Sequence, residues 1–103
     1  MNRKQHIEAL LKEDASDPFM HYALALEVAK EGNIETAIEQ VTKLLNKFPN
    51  YLGAYYQLGK WLEAIEDFEA AIQVYRNGIQ LAANQENIKA KNELEQALWL
   101  IED

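Results

Sequence analysis

Apolar residues recur at intervals of three and four along almost the whole chain, which is the spacing of one face of an α-helix. The clearest stripe is made by Ala37, Ile38, Val41, Leu44 and Leu45. No segment alternates with the period of two that a strand requires. The pattern therefore predicts an all-α protein of about six antiparallel helices. We expect these helices at about residues 2–13, 18–31, 34–48, 51–65, 68–83 and 86–101.

Turn and cap residues separate the apolar segments. Asp17 followed by Pro18 predicts the start of the second helix, because aspartate caps free N–H groups and proline needs none at the first helical position. Gly32 predicts the end of that helix, since glycine accepts the left-handed conformation that helix C-termini favour. The residues expected to cap or start the later helices are Asn33, Asn50, Asp67 and Asn84.

One pattern occurs twice with a period of 34 residues, first in 18–51 and again in 52–85. Matched positions share size and polarity, as in the pairs Leu24 and Leu58, Ala25 and Gly59, Ala37 and Ala71, and Val41 and Tyr75. Small residues at two of these positions allow helices to cross closely. A fixed period of this length is typical of stacked helical repeats, which usually work by offering a surface.

The two copies resemble the tetratricopeptide repeat, a helix–turn–helix unit of 34 residues. At the eight positions that characterise the family, the first copy has His21, Leu24, Ala25, Val28, Ala37, Val41, Leu44 and Pro49. At the same positions the second copy has Tyr55, Leu58, Gly59, Leu62, Ala71, Tyr75, Gly78 and Ala83. The chain departs from the family pattern at Leu44, Glu66 and Ala83, where the family has a small residue, a turn glycine and a proline.

The resemblance implies one tetratricopeptide-like domain over residues 1–103 that winds as a right-handed helical-repeat superhelix. A leading helix would lie in 1–17 and a C-terminal cap helix in 86–103, on either side of the two repeats. In this family the first helices of the repeats line a concave groove that binds an extended peptide or a partner helix. The resemblance therefore implies a protein-interaction module.

Helical geometry at about 100° per residue identifies the side chains that would line such a groove. The predicted groove residues are Phe19, Tyr22, Leu26, Tyr56, Gln57 and Lys60. Several of them are aromatic or apolar on a face that would otherwise contact water, which is typical of an interaction surface. The alternative is that a terminal helix covers this face. Trp61 lies at the edge between the core and this face, and it is expected to pack against the first repeat and not to contact a ligand.

The last helix is apolar over more than one face, although a cap helix needs only one apolar side. Its excess apolar residues predict a second interface at Leu98, Trp99 and Ile101, used either by a homodimer or by a partner protein. The alternative is a C-terminus that docks completely on the domain. The competing interpretation of the whole chain is a self-associating structural module that forms a homodimer through the groove or the C-terminal helix.

Composition removes several classes of function. The net charge is -7 and the ten lysines and arginines are scattered, so we expect no nucleic-acid binding and no adhesion to anionic membranes. No apolar run is long enough to span a bilayer, and no signal peptide is evident, so the cytoplasm is the expected location.

Catalytic chemistry also has no sequence support. The chain has no cysteine, no glycine-rich phosphate loop and only two histidines, His6 and His21. Their spacing does not match a metal-ligand motif, and His21 falls at a core packing position. We therefore expect no metal, no cofactor and no enzymatic activity.

Overall fold

The computed structural model describes residues 2–102 and confirms the all-α prediction, with six helices and no strand in that range. The helices are α1 (Arg3–Glu13), α2 (Pro18–Lys30), α3 (Ile34–Lys47), α4 (Gly53–Ala64), α5 (Phe68–Asn84) and α6 (Ile88–Ile101). The chain divides into two compact units, unit 1 (Met1–Pro49) and unit 2 (Asn50–Asp103).

Unit 1 consists of α1, α2 and α3, with α2 packed against both of its neighbours. Its core side chains are Ile7, Ala23, Ala25, Val28, Ala37, Val41 and Leu44. Ion pairs join α1 to α2, since Arg3 Nε lies 3.1 Å from Glu27 and Lys4 Nζ lies 3.0 Å from Glu31. The carboxylate of Glu31 raises the pKa of the Lys4 ammonium through a hydrogen bond and its charge.

Unit 2 consists of α4, α5 and α6, with α5 packed against both of its neighbours. Its core side chains are Ala54, Leu58, Trp61, Leu62, Ala71, Tyr75, Ala82, Leu94 and Ala97. The burial of Trp61 confirms that this indole is a packing residue. Two glycines allow close helix contacts, because a Cβ on Gly59 would meet the Tyr75 ring and a Cβ on Gly78 would meet Tyr55 and Leu94.

Most of the predicted caps are present, and two are wrong. Asp17 accepts a hydrogen bond from the Phe19 N–H, and Asp67 accepts one from the Ala70 N–H. Asn33 occupies the cap position of α3 without making a side-chain cap hydrogen bond. These positions set the helix starts that the sequence predicts in both repeats.

Asn50 does not cap α4, which begins at Gly53 after Leu52. The segment before α4 is held instead by turn hydrogen bonds from the Ala54 and Tyr55 N–H groups to the carbonyls of Tyr51 and Leu52, at 3.3 and 3.2 Å. The Asn50 carbonyl accepts a hydrogen bond from Gln85 Nε2 at 3.0 Å. The prediction of an Asn50 cap is therefore wrong, because these contacts delay the helix start.

Asn84 does not start the last helix but is the final residue of α5. The chain turns at Glu86, and Asn87 caps α6 by accepting a hydrogen bond from the Ala90 N–H at 3.0 Å. Helix α5 therefore ends later than the sequence predicts, because it continues until the turn that this cap requires.

Three helix ends share one turn geometry, in which the second residue after the helix has a positive φ. That residue is Gly32 after α2 (φ 92°), Glu66 after α4 (φ 63°) and Glu86 after α5 (φ 57°). The following N–H donates to a carbonyl five residues back, in the pairs Asn33 to Val28, Asp67 to Leu62, and Asn87 to Ala82. This is the Schellman closure of a helix. Glycine adopts a positive φ without strain, but only the turn after α2 has a glycine at this position. Glu66 and Glu86 therefore hold a strained left-handed conformation.

Candidate functional site

In unit 1, helix α2 presents the first half of the predicted groove residues. Phe19 is 53% exposed, whereas Tyr22 and Leu26 are half-buried. Their spacing of three and four places them along one face of α2. The opposite positions Ala25 and Val28 are in the core. Unit 1 therefore carries an apolar strip on an accessible helix face.

In unit 2, helix α4 presents the other half. Tyr56 is 39% exposed, and Gln57 and Lys60 are half-buried. Lys60 Nζ lies 5.6 Å from the centre of the Tyr56 ring, within the range of a cation–π contact, and 3.8 Å from Glu63. This face combines an aromatic ring with a neighbouring cation. The prediction that the two halves form a single groove stays a prediction.

The ring of the buried Tyr75 packs against the ring of Tyr56. The centres of the Tyr56 and Tyr75 rings are 6.3 Å apart with a tilt of 45°, a typical aromatic pair. Tyr75 reaches this position because Gly59 has no side chain to block it, and its hydroxyl donates a hydrogen bond to Glu63. The pKa of Tyr75 is raised far above its usual value, mainly by burial and further by this hydrogen bond. The phenol is therefore a neutral structural support.

A cavity of about 350 Å³ opens beside Tyr56 within unit 2. It is lined by Leu52, Gly53, Tyr56, Gln85, Asn87, Ala90, Glu93 and Leu94. Its walls combine apolar carbons with the amides of Gln85 and Asn87 and the carboxylate of Glu93. The cavity adds the start of α6 to the surface that the sequence predicts on α4.

The predicted second interface is partly exposed. Trp99 is 78% exposed, whereas Leu98 and Ile101 are half-buried. Leu98 and Trp99 line a concavity of about 460 Å³ together with Ile79 and the ion pair between Arg76 and Glu102. Leu100, which the sequence analysis did not assign to this interface, is 72% exposed. The end of α6 therefore offers apolar surface on two sides.

Sequence reasoning missed a cavity of about 280 Å³ in unit 1, which we name the α2–α3 cavity. It is lined by Ala15, His21, Leu24, Gln40, Lys43, Leu44, Lys47 and Phe48. His21 is half-buried there and its Nε2 donates to the Ala15 carbonyl at 2.6 Å. No local sequence signal identifies this cavity, because Gln40, Lys43 and Lys47 have the spacing of an ordinary solvated helix face.

The described part of the chain holds no group of three histidine, aspartate or glutamate side chains that could bind a metal ion. Within residues 2–102 no helix is long and apolar enough to cross a membrane.

The fold is similar to several solved structures. A crystal structure of a tetratricopeptide repeat domain protein from Salinibacter ruber is 37% identical, covers 84% of this chain and 97% of its own, and has a TM-score of 0.79. A solution NMR structure of a tetratricopeptide repeat domain protein from the same organism is also 37% identical, covers 86% of this chain and 90% of its own, and has a TM-score of 0.82.

A solution structure of a protein from Bordetella parapertussis has a TM-score of 0.84, covers 98% of this chain and 88% of its own, and supports the fold alone at 22% identity. No family model matches the sequence, and no curated protein is similar to it. The identity with the Salinibacter ruber protein over nearly its whole length is decisive. The chain belongs to the tetratricopeptide repeat family.

Proposed function

We propose that this chain binds a peptide or helix of a partner protein through the apolar faces of α2 and α4. Family membership supports the general class, because tetratricopeptide repeats serve as protein-interaction modules without catalytic function. The observation that carries the proposal is the exposure of Phe19 and Tyr56, one large aromatic side chain on each face. Exposed aromatic side chains on rigid helices are typical anchors for a partner.

The α4 face is the better defined of the two. Tyr56 lines the cavity of about 350 Å³, and the ring of Tyr75 packs against the Tyr56 ring. A partner side chain bound in this cavity would contact the ring, while the amides of Gln85 and Asn87 would meet its backbone. Such contacts suit an apolar side chain in a peptide whose N–H and C=O groups remain available.

The test is selection of peptides from a displayed library on the immobilised full chain, followed by measurement of their affinity for variants. We expect Tyr56→Ala to weaken binding about tenfold, the usual effect of removing an aromatic anchor. The matched control is Phe68→Ala, because Phe68 is also an exposed aromatic residue of unit 2, at 45%, but lies at the start of α5. Equal affinity for the wild type and Tyr56→Ala would exclude the α4 face as the binding surface.

A second candidate function is self-association through the end of α6. The observation that favours it is Trp99, whose indole is 78% exposed beside Leu98 and Ile101. Exposed tryptophan is rare on monomer surfaces and frequent at the centres of interfaces.

A further inference from the structure

We propose that the chain self-associates by binding Trp99 of one copy in the α2–α3 cavity of another. The proposal rests on the second candidate function and adds to it the receiving surface. It does not involve the predicted groove, since none of the six groove residues lines this cavity. Three properties of the cavity define what it binds, and the end of α6 carries a complementary group for each of them.

The first property is an apolar volume. Leu24, Leu44 and Phe48 contribute the apolar walls, and the volume of about 280 Å³ is large enough for an aromatic side chain. The α6 end supplies the indole of Trp99, the largest apolar group among the standard side chains. It is available because most of its surface is exposed.

The second property is a buried acceptor that needs a donor. Gln40 Oε1 is buried and has no hydrogen-bond partner among the described residues. Burial of an amide oxygen without a hydrogen bond is unfavourable, so a ligand that donates to it gains affinity. The indole N–H of Trp99 is a donor with no acceptor function, and it is the one polar group on that ring.

The third property is positive charge at the rim. Lys43 and Lys47 lie one turn apart on α3, and no carboxylate lines the cavity. Neither lysine forms an ion pair within residues 2–102, although Lys47 Nζ lies 5.7 Å from the centre of the Phe48 ring. Two unpaired lysines around an apolar cavity select a ligand with acidic groups beside an apolar side chain.

The α6 end has that charge pattern. Glu95 lies one helical turn before Trp99, Glu102 caps the end of α6, and both carboxylates line the same concavity as the indole. Glu95 has no ion-pair partner in the described part of the chain, and Glu102 pairs with Arg76 through exposed side chains. Docking would therefore place carboxylates next to Lys43 and Lys47.

Each copy carries both surfaces, so the simplest arrangement that we propose is a dimer in which each copy binds Trp99 of the other. A closed symmetric dimer then contains the same contact twice. This arrangement differs from a contact between two Trp99 residues, in which the α2–α3 cavity has no part.

The experiment is light scattering on a sizing column over a concentration series of the full chain. We expect a concentration-dependent dimer, and we expect Trp99→Ala to raise its dimer Kd at least about tenfold, as for a central aromatic anchor. Leu100→Ala is the matched control, because Leu100 is also exposed but lies about 100° around the helix from Trp99. The paired variant Lys43→Glu/Lys47→Glu should weaken the dimer similarly. Lys12→Glu/Lys89→Glu changes the net charge equally at exposed sites elsewhere and should not.

Mixing provides the sharpest test. Trp99→Ala retains the cavity, and Lys43→Glu/Lys47→Glu retains the indole, so a mixed pair contains one intact contact whereas each variant alone contains none. The mixture should therefore form a 1:1 heterodimer, weaker than the wild-type dimer but tighter than either variant alone. Circular dichroism of each variant before mixing verifies that it is folded.

Three results would overturn the proposal. One is a monomer at every concentration, which also removes the second candidate function. Another is a dimer that Trp99→Ala leaves intact. The last is a dimer that depends on Trp99 while the lysine reversals have no effect and the mixture does not recover association. That result would retain self-association through α6 but exclude the α2–α3 cavity as its receiving surface.

Discussion

The close contact between Gly59 on α4 and Tyr75 on α5 yields a sharp stability prediction. A Cβ added at Gly59 would lie 2.1 Å from Cε1 and 2.5 Å from Cζ of the buried Tyr75 ring. Carbon atoms in ordinary contact are about 3.5–4.0 Å apart, so the ring or the helix would have to move by about 1.5 Å. We therefore expect Gly59→Ala to destabilise the protein.

The magnitude follows from two opposing effects. Forcing extra volume into a packed core costs about 1–3 kcal/mol, and a displacement of this size lies at the upper end. Replacing glycine by alanine inside a helix stabilises the helix by about 1 kcal/mol, because alanine has the higher helix propensity. The expected net loss is about 2 kcal/mol in the free energy of unfolding, or about 10 °C in Tm for a domain of this size.

The first repeat shows how the clash can be removed. Its matched positions are Ala25 and Val41, both fully buried, so a larger residue on the first helix accompanies a smaller one on the second. In a Tyr75→Val background, Gly59→Ala should therefore be neutral or should raise stability by up to about 1 kcal/mol. Gly53→Ala is the control, since Gly53 is exposed and the nearest atom to its Cβ would be 4.0 Å away.

The assay is urea unfolding of the four proteins of this double-mutant cycle. An equal cost of Gly59→Ala in the wild-type and Tyr75→Val backgrounds would refute the packing argument, because the cost would then arise elsewhere than at the ring.

The remaining predictions concern turns, caps and pH. Glu66→Gly and Glu86→Gly should each stabilise the fold by about 1 kcal/mol in urea unfolding, because glycine relieves the left-handed strain; no gain would show that these turns are unstrained. Asp67→Ala should cost about 1 kcal/mol through the lost cap, whereas Asn50→Ala should cost less than half of that; similar losses on thermal unfolding would contradict the assigned caps. The raised pKa of Tyr75 means that folded protein keeps this phenol protonated while the unfolded chain ionises it near pH 10, so stability is intact below about pH 10 and falls above it. Tyr75→Phe should reduce the fall in the free energy of unfolding above about pH 10, as measured by urea unfolding at several pH values. An unchanged fall would show that the Tyr75 phenol does not cause it.

The sequence predicts features that depend on local chemistry. Asp17 and Asp67 cap their helices because an aspartate side chain reaches the first free N–H groups in any fold that starts a helix there. The apolar spacing likewise predicts the number of helices and the buried faces, including Ala25 and Val28. These properties need no knowledge of which helix packs on which.

Features that depend on packing between helices are not visible in one sequence. Asn50 has the residue type of a cap, but its carbonyl bonds Gln85, far along the chain, and the helix begins later. The α2–α3 cavity was missed for the same reason: Lys43 and Lys47 have the pattern of a solvated helix face, and only the packing of α3 on α2 places them around an apolar space. The exposure of Phe19, in contrast, was expected from its helix face and is confirmed.

The most direct test of the interaction account is amide chemical-shift mapping by NMR. The full chain, labelled with ¹⁵N, would be titrated with a peptide selected on it from a displayed library. If the peptide binds the apolar faces of α2 and α4, the largest shifts should fall on these helices and around Asn87 at the start of α6, centred on Phe19 and Tyr56. Shifts confined to α3 and α5, with α2 and α4 unchanged, would contradict it.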